Sequence, residues 1–305
     1  MSKKRKIGKL LFLLSALVII YSLLLFHVHY KSPKEAFIDY ETTNPFIAEK
    51  TLIAAHRLGG GDETEESIKA LEGAILSGAD ILELDIHLTK DDNLILLHDE
   101  NFNRTTDNKD NLRPEDMTLS EIKKLNLISE NSDEELKVLT LDEVFDFIND
   151  KSIRYIIEIK SRKEEGKRAL DLLYQKLIER ELLDRVIFGT FDKEVTKYCS
   201  MKYPLLIRSA SISEAIEFYF AALLDKKDYK SPCSVLQVFY GKAYYKFGVN
   251  LATARVINYA HKNNMAIQYW TVNEDDEINY LLDAKADAII TDNVKRAVEL
   301  KSIKY

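Results

Sequence analysis

Two hydrophobic patterns alternate along this chain. Short apolar runs recur at Thr51–Ala55, Ile81–His87, Tyr155–Ile159, Val186–Thr190, Leu205–Ser209, Ser234–Phe239, Ala266–Trp270 and Ala288–Thr291. Between most of them lie longer segments with helical patterning, among them Glu66–Leu76, Leu141–Asn149, Gly166–Glu179 and Ala252–Asn263. The first pattern predicts buried strands, the second amphipathic helices. Strand and helix in alternation imply a parallel sheet. Eight such units predict a (β/α)8 TIM barrel, with functional groups at the carboxyl ends of the strands.

Two stretches depart from the alternation. Leu94–Leu97 follows Ile81–His87 after only Leu88–Asn93, a gap too short for a crossover helix, so the two runs should form a β-hairpin. That hairpin can carry His98 back towards the barrel mouth. Residues 100–140 then make a long polar excursion, either a cover over the mouth or a small surface insertion. The other departure is Leu10–Phe26, which has no charged residue and is long enough for a bilayer core. It is long for a cleaved signal peptide, and no small-x-small site follows it. Lys3, Lys4, Arg5, Lys6 and Lys9 precede it, which predicts an uncleaved, single-pass transmembrane signal anchor with a cytoplasmic N-terminus and an extracytoplasmic body. The expected organisation is therefore a basic tail and anchor over 1–30, a stalk over 31–50 and a barrel domain over 51–305.

Composition narrows the function. The chain has 305 residues, 46% of them hydrophobic, enough for a substantial core. Its net charge of −7 includes the five basic residues of the tail; the remainder carries 38 positive and 50 negative charges. An acidic body argues against a nucleic-acid binder. Cys199 and Cys233 have neither metal-ligand nor redox spacing and are expected as free core thiols.

Chemistry concentrates at four predicted strand ends. In LELDIHL, Glu83 and Asp85 are two apart and so share one face of a strand. Like charges there need a positive partner, and a hard divalent cation prefers carboxylate oxygens. His98 closes the following run. His56 and Arg57 end the first strand before Gly59, Gly60 and Gly61, a setting that suits an anionic oxygen group. Glu158 and Lys160 lie in IIEIK, and Trp270 in YWTVN. Three carboxylates from two strands suit Mg²⁺ or Ca²⁺ better than zinc. Two histidines can move protons near neutral pH. Each feature alone is ordinary: a structural histidine, a salt-bridged edge, a core tryptophan. The functional reading rests on their convergence at one end of one barrel.

Taken together, HRLGGGDETEESI, GADILELDIHLTKDDNLILLHDENFNRTT, TLDEV, IEIK, YWTVN and KADAIITD occur in this order over residues 51–295. The chain resembles the glycerophosphodiester phosphodiesterase family, a resemblance most specific in the middle block. Leu58 stands where that family has glycine. The family's PENT box reads Thr64-Glu65-Glu66-Ser67, keeping the glutamate as Glu65. The resemblance implies an acid/base pair in His56 and His98, and phosphate binding by Arg57 and Lys160. It further implies one divalent cation on Glu83, Asp85 and Glu158, and substrate contact by Trp270. In the family, a substrate glycerol hydroxyl attacks first and water then opens a cyclic phosphate.

The implied activity is hydrolysis of glycerophosphodiesters to sn-glycerol 3-phosphate and an alcohol, in lipid or glycerol metabolism. The expected partners are a small diester or lipid head group and, through the N-terminal helix, the membrane. No nucleic acid is expected, and no protein partner can be inferred. Two alternatives stand beside it. One is a lysophospholipase D or sphingomyelinase D-like enzyme acting on membrane lipids, which a lipid-sized apolar groove would favour. The other is a non-catalytic, membrane-anchored binding barrel, which loss of a histidine or carboxylate would have favoured.

Overall fold

A computed structural model describes the backbone of 3–31, with side chains for 8–23, and residues 36–59, 61, 63–129, 134–148, 152–240 and 250–305. Gly60, Asn149 and the side chains of Lys3, Lys4, Arg5 and Lys6 lie outside the described residues. After helix α1 (Lys3–Lys31) the strands are β1 (Leu52–Ala55), β2 (Ile81–Leu88), β3 (Leu94–Leu96), β4 (Arg154–Ile159), β5 (Val186–Gly189), β6 (Val235–Phe239), β7 (Ala266–Trp270) and β8 (Ala288–Thr291). Helices α2 (Ile68–Leu76), α3 (Leu119–Ile122), α4 (Leu141–Phe147), α5 (Lys163–Glu179), α6 (Lys193–Lys202), α7 (Ile212–Leu223), α8 (Ala254–Lys262), α9 (Asp275–Asp283) and α10 (Val294–Lys304), with single 3-10 turns at His56–Leu58 and Pro114–Asp116, complete the described elements.

Seven strands form a parallel sheet in the order β5-β4-β2-β1-β8-β7-β6. The ring closes between β5 and β6 through parallel bridges at Phe188–Arg208 and Ser209–Val235. The predicted strand Leu205–Ser209 is thus reduced to two bridged residues. Pro204 lacks an N–H, Leu205 is exposed, and buried Arg208 spends its guanidinium on Glu214 and on the carbonyls of Ser209 and Pro232. As the short gap predicts, β3 pairs antiparallel with β2, Ile86 opposite Leu96.

Burial explains why the strands read as apolar runs. Ala54, Ile81, Ile156, Ile187, Val235, Ala266 and Ala288, one from each parallel strand, fill the barrel's interior. Phe46 packs into the same cluster and is wholly buried. Residues 36–50, expected as stalk, are therefore seated on the barrel. Asn44 donates to the carbonyls of Ser234 and Asn264, and the amide of Ala48 donates to Asp287. A larger apolar cluster lies between strands and helices.

The excursion after the hairpin has its own small core of Ile95, Leu97, Phe102, Met117, Ile122, Leu127, Leu136 and Val138. Glu115 fastens it to the barrel: its buried carboxylate accepts from Ser161 Oγ at 2.7 Å and lies 2.9 Å from His87 Nδ1. α1 carries exposed Leu10, Leu13, Leu17 and Ile20. Among the described residues no helix is long and apolar enough to cross a membrane. The side chains of 24–31, which include the last three residues of the Leu10–Phe26 run, lie outside the described residues, and the transmembrane part of the expectation is not shown.

Candidate active site

The carboxyl ends of the strands surround a cavity of about 690 Å³. His56, Arg57, Glu83, Asp85, His98, Glu158, Lys160 and Trp270 all line it, so the structure brings together every site residue read from the sequence. Strand register explains the convergence. Asp85 on β2 stands opposite Glu158 on β4, and Glu83 lies two residues back on the same face. The hairpin returns the chain so that His98 reaches the same mouth.

His56 begins the turn after β1. Arg57, Leu58 and Gly59 there have φ of 49°, 64° and 83°, all left-handed. A non-glycine residue in that region costs roughly 1–2 kcal/mol. At Leu58, where the family has glycine, complete burial of the side chain offsets the strain. A Cβ on Gly61 would lie 2.5 Å from the carbonyl oxygen of Asp292, so this turn needs glycine to pass that backbone closely. The turn also points the amide of Arg57 at Glu83 Oε2, 2.7 Å away.

Each histidine is held by a carboxylate that sequence reasoning left without a role. His56 Nδ1 lies 2.6 Å from Asp292 Oδ1. Asn273 Nδ2 donates to the other Asp292 oxygen at 2.7 Å, and Asn273 Oδ1 accepts from the Asp292 amide and Thr291 Oγ1. His98 Nδ1 lies 2.8 Å from Asp99 Oδ1, and Arg104 grips Asp99 through Nε and Nη2 at 2.7 and 2.9 Å. Arg104 also donates to Glu65 at 2.5 Å, and Glu65 accepts from Arg57 at 3.1 Å. Glu65 therefore bridges the two arginines, while its neighbour Glu66 accepts the Asp85 amide at 2.8 Å. The signals were present in the sequence, since these residues occupy the TEES, HDENFNRTT, YWTVN and IITD segments.

Electrostatics separate the two histidines. Burial alone would lower the pKa of His56, but the bond to Asp292 and the charge of Glu83 outweigh it and leave the imidazole above its ordinary value. Burial lowers His98, and the Asp99 bond only partly compensates. Asp99 is itself pulled down to about 2, chiefly by its hydrogen bonds to Arg104.

The carboxylate group is short of positive charge. Burial, then Asp85, pushes Glu83 up to about 8. Burial also raises Glu158, against the pull of Lys160. Both Asp85 carboxylate oxygens are buried without a hydrogen bond among the described residues. Lys160 Nζ stands between the carboxylates, 3.0 Å from Asp85 Oδ1 and 2.7 Å from Glu158 Oε1. Among the described residues, no three acidic, histidine or cysteine side chains are already gathered as a metal cage. The donors nevertheless fit a hard cation: all are carboxylate oxygens, neither Asp85 oxygen has a hydrogen bond among the described residues, and the Lys160 ammonium beside them offsets only part of their charge.

Such a cavity at the mouth of a TIM barrel, with proton-transfer groups beside cations and acidic donors, defines a phosphoryl-transferring hydrolase. The chain belongs to the glycerophosphoryl diester phosphodiesterase family, whose sequence profile matches residues 56–296. It is 31% identical over 259 residues to a glycerophosphodiester phosphodiesterase of Caldanaerobacter subterraneus subsp. tengcongensis, covering 82% of this chain and 98% of that one. Its fold is similar to that of glycerophosphodiester phosphodiesterase from Agrobacterium tumefaciens, with a TM-score of 0.65 at 19% identity over 83% of this chain and 99% of that one. A phosphodiesterase from Oleispira antarctica, solved with the product sn-glycerol 3-phosphate, matches with a TM-score of 0.64 at 17% identity over 84% and 98%. The chain is therefore an enzyme, a phosphoric diester hydrolase, and its family generally uses a divalent metal.

Proposed function

We propose that this enzyme hydrolyses glycerophosphodiesters to sn-glycerol 3-phosphate and an alcohol with one divalent cation, Mg²⁺ or Ca²⁺, held by Glu83, Asp85 and Glu158. The observation that carries the metal site is the buried Asp85 carboxylate, neither oxygen of which has a hydrogen bond among the described residues, beside Glu83, which burial and the nearby Asp85 push up to about 8. When bound, the cation supplies Lewis-acid stabilisation of phosphoryl oxygens.

The protein's own groups account for the rest. Arg57 and Lys160 offset the charge that grows on the phosphoryl group as a nucleophile adds. Lys160 now pairs with Asp85 and Glu158, and were those carboxylates to hold the cation, its ammonium would be available to the phosphoryl group. Environments that push two titrating groups apart divide their roles. His98, the weaker base by burial, is neutral near pH 7 and accepts the proton of the attacking hydroxyl. His56, whose protonated form the Asp292 carboxylate favours, donates to the leaving alcohol oxygen. In the second half-reaction these two proton transfers reverse. Turnover of a small panel of glycerophosphodiesters, with and without chelator, tests the reading. Release of glycerol phosphate that chelator abolishes and a divalent cation restores supports it, and metal-independent release overturns the metal site.

Membrane anchoring by 10–26, with the barrel outside, is part of the same proposal. It is supported by the charge-free run, the basic residues before it and the exposed leucines of α1.

A further inference from the structure

The insertion that follows the hairpin sends one side chain back to the catalytic centre. Arg104 lies in the turn between Phe102 and Thr106, both wholly buried. Phe102 belongs to the insertion's apolar core, and its amide donates to the Leu112 carbonyl. Thr106 pairs antiparallel with Leu127, and its hydroxyl donates to the Phe102 carbonyl at 2.8 Å. The backbone on both sides of Arg104 is therefore fixed by the insertion, while the guanidinium reaches out of it. That guanidinium takes both oxygens of Asp99, through Nε at 2.7 Å and Nη2 at 2.9 Å, and Glu65 Oε1 at 2.5 Å. Both Glu65 oxygens are engaged by arginine, Oε1 by Arg104 and Oε2 by Arg57. Burial would raise the Glu65 pKa, yet the two arginines hold it below its ordinary value. The two turns are also tied through backbone. Thr64 Oγ1 donates to the Ile128 carbonyl at 3.3 Å, and the Ile128 amide donates to the Thr105 carbonyl at 2.8 Å.

We propose that Arg104 and Glu65 are positioning residues for His98, which makes the insertion a working part of the catalytic centre. The proposal rests on the phosphodiesterase reading, in which His98 accepts the proton of the attacking hydroxyl. Neither residue lines the catalytic cavity; both act through Asp99. The Asp99 carboxylate sits next to His98 in sequence and is free to rotate about its own side-chain torsions. A two-point grip by a planar guanidinium fixes the carboxylate plane, and Glu65 fixes the guanidinium in turn. The fixed carboxylate then holds the imidazole by Nδ1, 2.8 Å away, and leaves Nε2 for the substrate. Glu65 carries the same frame on to Arg57, so the base and the phosphate ligand share one support. A lysine at 104 would keep the charge but lose the fork.

The test is kinetic and uses the full chain. Arg104→Met, Arg104→Lys, Glu65→Gln and Asp99→Asn are compared with wild type on glycerophosphocholine with Mg²⁺ in excess, and circular dichroism establishes each fold. Arg104→Met should lower kcat roughly tenfold with KM little changed, as for a base left in place but loosely aimed. Arg104→Lys should lose nearly as much. Because Arg104 acts through Asp99, the double variant Arg104→Met/Asp99→Asn should lose no more kcat than Asp99→Asn alone. Glu65→Gln should lower kcat in the wild-type background and not in Arg104→Met. Independent structural damage multiplies instead. The Arg104 side chain is half-exposed, so added methylguanidinium can fill the space left in Arg104→Ala and should restore kcat severalfold, whereas methylammonium should not. Wild-type kcat in folded Arg104→Met, or losses that multiply with those of Asp99→Asn, overturns the proposal and leaves the phosphodiesterase reading standing. Equal rescue by methylammonium overturns it in favour of a bare charge effect. Should Arg104→Met fail to fold, Arg104→Lys decides: wild-type kcat there overturns the proposal. No turnover of any diester by the wild-type enzyme overturns both readings.

Discussion

Asp292 Oδ1 lies 2.6 Å from His56 Nδ1, across 236 residues of sequence. Asn273 fixes the carboxylate from its far side, so the imidazole is oriented by a group that is itself oriented. An imidazole held in this way by Nδ1 favours the protonated form and leaves its other ring nitrogen, Nε2, for proton transfer. Asp292→Asn should leave the barrel folded and lower kcat on the order of 10²-fold, within the usual range for a general acid–base group. Circular dichroism would establish the fold. A kcat within threefold of wild type would remove Asp292 from the proton-transfer apparatus.

The pH profile follows from the two histidines. His98 must be neutral to accept a proton and its pKa is lowered, so the acid limb of kcat/KM should fall below the usual 6.5. His56 must be protonated to donate and its pKa is raised, so the alkaline limb should lie above 6.5. Removing the Asp292 charge removes what raises His56. In Asp292→Asn the alkaline limb should therefore move to lower pH while the acid limb stays in place. Stopped assays from pH 5 to 9 read both limbs. Movement of the acid limb instead would exchange the two roles.

The metal site carries a proton signature. Without metal, burial and the neighbouring Asp85 push Glu83 up to about 8. A cation needs the carboxylate, so binding at pH 7 should release a proton and affinity should rise as pH approaches 8. Calorimetry in buffers of different ionisation enthalpy counts that proton. Glu83→Gln should remove both the release and most of the affinity. Tight binding without proton release would place the cation elsewhere.

Much of this fold was legible because parallel strands bury both faces and stand out as apolar runs, as at Ile81–Leu88, every residue of which is buried. The hairpin was legible from the shortness of 88–93, and the reactive residues from their places at strand ends. What escaped depends on distance in sequence. Nothing local to His56 announces Asp292, and nothing near Glu65 announces that it joins Arg57 to Arg104. Leu205–Ser209 has strand-like composition, but tertiary packing around Arg208 decided against a full strand.

Glu115 locks the insertion to the barrel, and its pKa is held near 2: burial pushes it up, but the bonds to His87 and Ser161 prevail. A carboxylate with a depressed folded-state pKa stabilises the fold above its unfolded value, roughly 4.3. That contribution is lost as pH falls from there towards 2. Glu115→Gln should cost about 3 kcal/mol at pH 7, as for breaking a buried pair, and progressively less towards pH 3. Urea midpoints for both proteins across that range test this. A pH-independent difference would show that packing, not charge, is what the substitution removes.

The N-terminal segment should anchor and not catalyse. Among the described residues every group lining the catalytic cavity lies beyond residue 51, while residues 36–50 belong to the barrel through Phe46 and Asn44. The cut that respects both facts falls between 31 and 36. A chain starting at Lys34 should be soluble and hydrolyse glycerophosphocholine within about twofold of the full-length rate. One starting at Thr51 should be markedly less stable, because losing a buried aromatic side chain such as Phe46 costs about 3–5 kcal/mol. Orientation is a separate matter. If Lys3–Lys9 stay inside, protease added to intact cells should reach the barrel. Protection until the membrane is opened would invert the topology. A soluble, folded but inactive Lys34 variant would give the helix a catalytic part that the site geometry does not require.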